Sequence, residues 1–310
     1  MGEYDYSVFK ILSSNDTSAA IGHQGGIVIP KDIAIFFPPL PDASKQFPTT
    51  EQWLTADLFD GDTFLRTVAT RFQHQTWGGE RPPERRLTSN LGPIRDLASA
   101  GDIVLFFKDT EDLLRMKLTL LRSGMPRHTA IVASQPMKRW GLADRENVPI
   151  KSEEYLVAES VIEKTSHGEF NGFDPNRILV QTRTARLARS AAFRSRILAL
   201  YDRRCAFSNR VIRSPTGSVN LDAAHIISVQ RGGSDDLRNG IALSKDLHWA
   251  FDQGLITVDQ NRKLMVSKAQ NAEISVIGWL DGHPITEASQ TDLQASDSAF
   301  AWHRDNCFVV

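Results

Sequence analysis

Short segments of alternating hydrophobic and polar residues, separated by Gly- and Pro-rich connections, run through the N-terminal part of the chain. This period of two is typical of half-buried β-strands. Many short strands with such connections favour a barrel or a sandwich. The segments that we interpret as strands are 25–30, 63–72, 101–107, 115–121 and 128–134 (HTAIVAS).

The pattern becomes helical further along. Hydrophobic residues recur at helical spacing over 182–202, followed by a predicted strand at 218–229 and a shorter one at 240–243. A helix is expected from Ser244, a good N-cap residue, to Gly254, a good C′ residue.

The patterns together predict an α+β protein. A length of 310 residues suits about two domains. We predict a mainly β N-terminal domain at 1–150, a less regular linker at 151–180 and a C-terminal domain at 181–310.

Composition narrows the class of protein. No apolar run approaches the ~18–20 residues that a membrane-spanning helix needs, and the chain start lacks the apolar core of a signal peptide. Two cysteines, Cys205 and Cys307, cannot form a disulfide framework. We therefore expect a cytoplasmic protein without a membrane partner.

The net charge of −1 hides an uneven distribution. Ten arginines and one acid, Asp202, lie between Arg177 and Arg213. Solvated helices usually intersperse acids for i,i+4 pairing, and arginine suits bidentate phosphate contacts. We interpret this run as a phosphate-contacting segment. Its expected DNA-binding members are Arg183, Arg186, Arg189 and Arg194.

Candidate chemistry lies in residues 221–255. His225 ends a predicted strand, Asn239 follows a polar Gly-rich loop, and His248 lies on the next helix. A neutral imidazole can deprotonate water, and an Asn amide can hold a site in register without titrating. His248 and Asp252 are spaced i,i+4, so both project from one helix face.

The spacing of His225, Asn239 and His248, with intervals of 14 and 9, resembles the HNH endonuclease family, which is built on the ββα-metal fold. Its surroundings at 185–310 resemble bacterial restriction and stress nucleases: FRSRILALYDRRCAFSN, AAHI, RNGIAL, LHWAFDQGLI and AWHRDNCF. The resemblance implies that His225 is the general base, that Asn239 orients the site and that His248 binds a metal, Mg²⁺ or Mn²⁺.

Two departures from the family pattern stand out. Many relatives carry a metal-binding acid or His directly before the base, where this chain has Ala224. Asp222 or Asp252 could substitute, and the sequence does not choose between them. The paired CxxC motifs that grip a structural zinc in many relatives are missing, so we expect no structural zinc.

A second resemblance concerns the N-terminal domain. The segment KILSSNDTSAAIGHQGGIVIPKDI (10–33) and the triplet Glu84-Arg85-Arg86 resemble the effector-domain family of the EcoRII restriction endonuclease, a β pseudobarrel that reads DNA through two arms. Arginine can bind guanine and glutamate can accept from cytosine. The residues expected to contact DNA are His23, Gln24, Arg81, Glu84, Arg85 and Arg86.

These observations predict a restriction-type endonuclease that cuts double-stranded DNA at or near a short recognised sequence. We expect a homodimer, because one HNH site cuts one strand, and a cognate DNA methyltransferase in the host. Two alternatives stay open: an HNH nuclease that depends on methylated DNA, and a DNA-binding regulator that does not cleave.

Overall fold

The computed structural model describes residues 4–19, 25–76, 82–110, 112–174, 182–214, 219–269 and 275–310. The chain divides into two compact units, Met1–Glu154 and Tyr155–Val310. The division falls within a helix, Ser152–Ser166, which occupies part of the stretch where the sequence predicts a less regular linker. The domain boundaries at 150 and 180 themselves stay a prediction.

The first unit is built mainly from strands. Its strands are β1 (Tyr4–Ile11), β2 (Ile27–Ile29), β3 (Thr49–Asp60), β4 (Thr63–Gln75), β5 (Glu84–Leu87), β6 (Ile103–Asp109), β7 (Arg115–Leu121) and β8 (Trp140–Leu142). Its helices are α1 (Lys31–Ala34), α2 (Gly92–Arg95), α3 (Pro126–Ser134) and the start of α4 (Ser152–Ser166).

These eight strands form one mixed sheet in the order β2-β5-β4-β3-β7-β6-β1-β8. β3 and β7 pair in parallel, and the other neighbours pair antiparallel. The predicted strand pair at 101–107 and 115–121 is confirmed as β6 and β7.

The sheet curls around a single apolar core. The Phe37 ring lies 5.1 Å from the ring of Phe72 on β4 and 5.4 Å from that of Phe106 on β6. β4 and β6 are three strand spacings apart, about 14 Å in a flat sheet. Ile27 on the edge strand β2 and Val8 on β1, the strand next to the other edge, join the same core. The sheet is therefore a curled half-barrel.

One predicted strand is wrong. Residues 128–134 lie in helix α3, which packs Ile131 against Phe9 and Leu105 on the outer face of the sheet. Pro126 occupies the first helical position, where its fixed φ favours a helix start. Thr, Ile and Val in this run have high strand propensity, but tertiary packing overrides so weak a preference.

The second unit alternates helices with short hairpins. After the remainder of α4 it contains α5 (Arg183–Leu200), β9 (Leu221–His225), β10 (Gly240–Ser244), α6 (Lys245–Asp252), β11 (Ile256–Val258), β12 (Leu264–Val266) and α7 (Asp297–Asn306). The helices predicted from 182 and from Ser244 are confirmed, with Thr182 and Ser244 as their N-cap residues.

The strand predicted at 218–229 is shorter in the structure, and residues 215–218 lie outside the described part. β9 ends at His225 because the Asn239 side chain hydrogen-bonds the backbone of Ile227, two residues later. Its Oδ1 accepts from the Ile227 amide at 2.9 Å. In the part of the chain that the structure describes, no helix combines the length and apolar character needed to cross a bilayer.

Candidate functional site

The site is built on a hairpin followed directly by a helix. β9 and β10 are antiparallel, and their register places Gly240 opposite His225. The chain passes from β10 into α6 at Ser244 without a loop. His225 therefore lies at the end of one strand, while His248 projects from the helix that follows the other.

His225 is held in a fixed orientation. Its Nε2 lies 2.9 Å from Oδ1 of Asp235, and its ring stacks on Phe193 at 4.0 Å with an interplanar angle of 7°. An ionised carboxylate only accepts, so Nε2–H donates and the neutral ring carries its lone pair at Nδ1. Nδ1 is thus the nitrogen that can accept a proton from water.

Asp235 is itself fixed by an arginine. Its side chain is only 4% exposed, and its Oδ2 accepts from Nε of Arg189 at 3.0 Å. Arg189 also reaches Asp174, with Nη2 3.3 Å from Oδ2. A buried carboxylate is stable only when such partners compensate it, so Arg189 keeps Asp235 available to His225. Sequence reasoning missed Asp235, although it lies in the polar loop after His225.

One face of α5 supports this arrangement. Arg189, Phe193 and Ile197 follow one another at i, i+4 and i+8, so they share a face. Arg189 holds the carboxylate, Phe193 stacks on His225, and Ile197 packs over Gly240. A Cβ on Gly240 would lie 2.4 Å from Ile197 Cδ1 and 2.6 Å from Phe193 Cζ. Glycine is required there because α5 lies too close for any side chain.

Asn239 closes the loop between the two strands. It is completely buried, and its Nδ2 donates to the carbonyls of Ile227 and Ser234 at 3.1 and 2.9 Å. Together with the bond from the Ile227 amide, these contacts satisfy both ends of the side-chain amide. Asn239 thus fixes the loop that carries Asp235 rather than contacting a substrate.

His248 lies between two carboxylates. Its Nδ1 is 3.3 Å from Oδ2 of Asp222, and its Nε2 is 3.4 Å from Oδ2 of Asp252. The hydrogen bond from His248, aided by the nearby charge of Arg194, lowers the pKa of Asp222. Burial raises the pKa of Asp252, and the charges of His248 and His225 only partly offset this rise.

The two carboxylates are not equivalent as metal ligands. They face opposite nitrogens of one ring, and an imidazole offers a cation one nitrogen, so Asp222 and Asp252 do not share a cation with His248 as placed. The described residues contain no group of three or more metal-binding side chains arranged to hold an ion. Arg194 Nη1 already pairs with Asp222 at 2.9 Å.

The pair of His248 and Asp252 does fit a divalent cation. Two ligands bound about 2.1 Å from a metal lie roughly 3.0–3.4 Å from each other in octahedral or tetrahedral geometry. The observed 3.4 Å between Nε2 and Oδ2 meets this condition. Asp222 would then accept a hydrogen bond from Nδ1 and fix the ring, as carboxylates commonly do for metal-binding histidines.

Two arginines of the run form ion pairs within the second unit. Arg189 and Arg194 are engaged by carboxylates of the site, so the interleaved acids that the run lacks come from distant parts of the chain. Arg183 and Arg186 lie exposed near the start of α5. Only these two of the four named arginines present an exposed side chain.

The structure describes three of the six predicted DNA-reading residues of the first unit. His23, Gln24 and Arg81 lie outside the described residues. Glu84, Arg85 and Arg86 form the start of β5, where Arg86 donates to Glu84 at 2.8 Å. Arg85 Nη2 lies 3.5 Å from Oδ1 of Asp42.

The segment that resembles the effector-domain family contains a buried aspartate, Asp16. Asp16 is fully buried and accepts from Lys10 Nζ at 2.7 Å, from the Val28 amide at 2.9 Å and from the Ser13 amide at 2.9 Å. Arg95 binds the carbonyls of Asp16 and of the next residue. These contacts fix the segment that follows β1 to both β1 and β2.

A further histidine of the second unit, His303, has a core role. Its Nδ1 accepts from the Thr257 hydroxyl at 2.9 Å, and its Nε2 donates to the Phe251 carbonyl at 3.1 Å. The ring is 2% exposed and stacks on Phe251 at 3.7 Å. Burial lowers its pKa to about 4, so it stays neutral.

Comparison with known proteins identifies the region that carries His225 and His248. Residues 205–259 match the sequence model of a family described as HNH endonuclease. The chain carries an HNH endonuclease domain. The matched residues include β9, β10 and α6, whereas Arg189 and Phe193 on α5 precede them, so the HNH site is completed by a helix outside the match.

A solved structure described as "Modification dependent TagI restriction endonuclease" shares 20% identity with a TM-score of 0.30; the match covers 36% of this chain and 36% of that chain. The chain thus spans about a third of that protein's length. No curated protein matches the sequence.

Proposed function

We propose that this protein is a metal-dependent DNA endonuclease of restriction type. The observation that carries the proposal is the placement of His225 within the HNH domain: a buried carboxylate fixes one ring nitrogen and an aromatic ring fixes the plane. This leaves the imidazole oriented to take a proton at Nδ1.

In the proposed reaction, His225 Nδ1 accepts a proton from a water molecule while the water oxygen attacks phosphorus. One phosphorus–oxygen ester bond breaks, and the leaving oxygen takes up a proton from solvent. General-base catalysis of this kind contributes about 10²–10⁴-fold to a rate. Asp235 stabilises the imidazolium that forms, and Asn239 keeps the loop in place.

His248 and Asp252 are the residues that would hold Mg²⁺ or Mn²⁺. Such a cation, when bound, neutralises charge that develops on the phosphate and on the leaving oxygen. Asp222 orients His248, and Arg194 in turn holds Asp222. This arrangement favours Asp252 over Asp222 as the carboxylate that completes the metal site.

The first unit is proposed to read the DNA sequence as an effector-like pseudobarrel. Its curled sheet supports this role, as does the network around Asp16, which lies in the segment 14–24 that we propose as the first DNA-reading arm. Base contacts would come from His23, Gln24 and Arg81 together with Glu84, Arg85 and Arg86. Double-strand cleavage by single-strand sites requires either a dimer or sequential nicking, and we propose a homodimer. Protection of host DNA would require a cognate methyltransferase.

The replacement of His225 by alanine tests the nuclease proposal. We expect His225→Ala to lower cleavage of supercoiled plasmid by at least about 10²-fold in Mg²⁺ or Mn²⁺, because the general base is lost. DNA affinity should stay unchanged. His167→Ala, which removes an exposed histidine of the same unit, is the matched control and should cleave normally.

Wild-type protein that leaves plasmid intact with both ions would refute the nuclease proposal.

Sequencing the ends of digested genomic DNA, prepared with and without methylation, tests the reading function. A common short sequence at the ends supports recognition by the first unit. Random ends from both preparations contradict it.

A further inference from the structure

Three side chains from separate segments meet on the surface of the second unit. Trp302 on α7 packs edge-to-face against Phe173, with ring centroids 6.1 Å apart and an interplanar angle of 79°. The Arg231 guanidinium lies 5.7 Å from the Trp302 centroid. Phe173 is 43% exposed and Arg231 is exposed. We refer to these three residues as the aromatic–arginine surface.

This surface borders the nuclease site. The segment that carries Phe173 runs beside the Gly-rich loop: the amide of Asp174 donates to the Gly232 carbonyl at 2.9 Å, and the amide of Ser234 donates to the Gly172 carbonyl at 2.9 Å. The next residue in that loop is Asp235, which holds His225. The surface therefore begins within a few residues of the general base.

Arg231 differs from the arginines that support the fold. Arg189, Arg194, Arg196 and Arg238 each pair with a carboxylate. Among the described residues, no carboxylate lies within ion-pair distance of Arg231. Arg231 contacts the Trp302 ring and, at 3.5 Å, the Asn306 carbonyl. An exposed cation on an aromatic ring, without an acid, is suited to a phosphate next to a flat apolar group.

We propose that the aromatic–arginine surface binds an unstacked base of the DNA strand that enters the nuclease site, with Arg231 on the adjoining phosphate. Aromatic side chains bind single-stranded DNA because every base has a π-face, and each stacked base contributes about 1–3 kcal/mol. In an intact duplex those faces are covered by neighbouring bases. The proposal rests on the nuclease function and names its substrate more closely: DNA that is locally opened beside the scissile phosphate.

Binding assays test this surface without cleavage. All variants are made in the full chain carrying His225→Ala, and affinity for a labelled single-stranded oligonucleotide is measured by fluorescence anisotropy in Mg²⁺. We expect Trp302→Ala and Phe173→Ala each to weaken binding about 5- to 100-fold, which corresponds to one lost stacking contact. Arg231→Gln should reduce the slope of log affinity against log salt by about 0.7, as expected for one phosphate contact.

A similar pair elsewhere in the unit supplies the control. Trp279 is exposed, and Arg210 lies 4.9 Å from its ring centroid, beside the N-terminal end of α6 rather than the His225 loop. Trp279→Ala should bind DNA normally. Trp302→Tyr, which keeps an aromatic face, should retain most of the affinity even where Trp302→Ala fails to fold.

Two results would overturn the proposal: an equal loss of affinity in Trp279→Ala, or a loss confined to Arg231→Gln, which would show phosphate contact without stacking. The nuclease proposal fails separately. If the wild-type protein binds through this surface but leaves DNA uncut, only the nuclease function is refuted. If the wild-type protein cuts DNA while Trp302→Ala and Phe173→Ala bind normally, only the stacking proposal is refuted.

Discussion

Two histidines of the second unit share one kind of contact and differ in every other. His225 stacks on Phe193 at 4.0 Å and 7°, and His303 stacks on Phe251 at 3.7 Å and 5°. His225 faces a buried carboxylate at the end of β9. His303 faces a hydroxyl and a carbonyl in the core between α6 and α7, and its pKa falls to about 4.

The difference shows that hydrogen-bond partners, rather than ring packing, decide what a histidine can do. A carboxylate stabilises the protonated imidazole, which suits His225 to the proposed role of general base. A carbonyl and a hydroxyl occupy both nitrogens of His303 in its neutral form. His303 is therefore a structural residue, although its segment AWHRDNCF is among those that resemble the nuclease family.

The largest expected effect comes from removing the partner that sets His225 apart. In Asp235→Asn the fixed negative charge is lost, and the amide can present either oxygen or N–H to the ring. We expect kcat for DNA cleavage to fall about 10²-fold or more, within the range of general-base contributions. DNA affinity should hardly change. Single-turnover cleavage and anisotropy binding measure the two quantities.

Asp174→Asn is the matched control for this experiment. It removes a carboxylate from the same arginine, Arg189, without touching His225. We expect cleavage to fall much less than in Asp235→Asn. Equal losses in the two variants would mean that Asp235 acts only by holding Arg189. The carboxylate partner of His225 would then not explain a functional difference between His225 and His303.

The local part of the site could be predicted from the sequence. The element order of β9, β10 and α6 follows from hydrophobic periodicity and from helix caps at Ser244 and Gly254. The approach of Asp252 to His248 follows from i,i+4 spacing alone. Short-range geometry of this kind is fixed by the chain itself.

The long-range part could not be predicted. Asp235 is held by Arg189, 46 residues earlier, and no spacing rule connects them. The carboxylate partners of Arg189 and Arg194 likewise lie far away in the sequence, so their ion pairs could not be predicted. Residues 128–134 were misjudged for a related reason: a short apolar run suits a strand or a helix, and only packing decides.

The second prediction tests His303 through the pH dependence of stability. The ordinary pKa of histidine is about 6.5, and the folded value is about 4. Between these values the unfolded chain binds a proton that the folded chain does not. The free energy of unfolding therefore has its full value, as far as His303 is concerned, above pH 6.5. It falls as the pH is lowered, by about 3 kcal/mol once pH 4 is reached. Urea denaturation at several pH values measures the loss.

The comparison uses His303→Gln, which does not titrate. We expect its stability to fall less than that of the wild type between pH 6.5 and 4, whatever its absolute stability. The difference between the two curves isolates His303 from the carboxylates that titrate in the same range. Parallel curves would show that the buried ring has no depressed pKa, and its contrast with His225 would disappear.

The smallest expected effect concerns ring stacking, the kind of contact that both histidines make, and is tested at the Phe193 ring that stacks on His225. In Gly240→Ala the new Cβ would approach Ile197 and Phe193, so α5 must move or the rings must shift. Overpacking of this kind costs about 1–3 kcal/mol. We expect a matching loss of unfolding free energy, together with slower cleavage, because Phe193 sets the plane of His225. Gly278→Ala is the control, since nothing lies within 4 Å of a Cβ built there. A destabilised Gly240→Ala variant that cleaves at the wild-type rate would show that Phe193 supports only the fold, and that Asp235 alone orients the base.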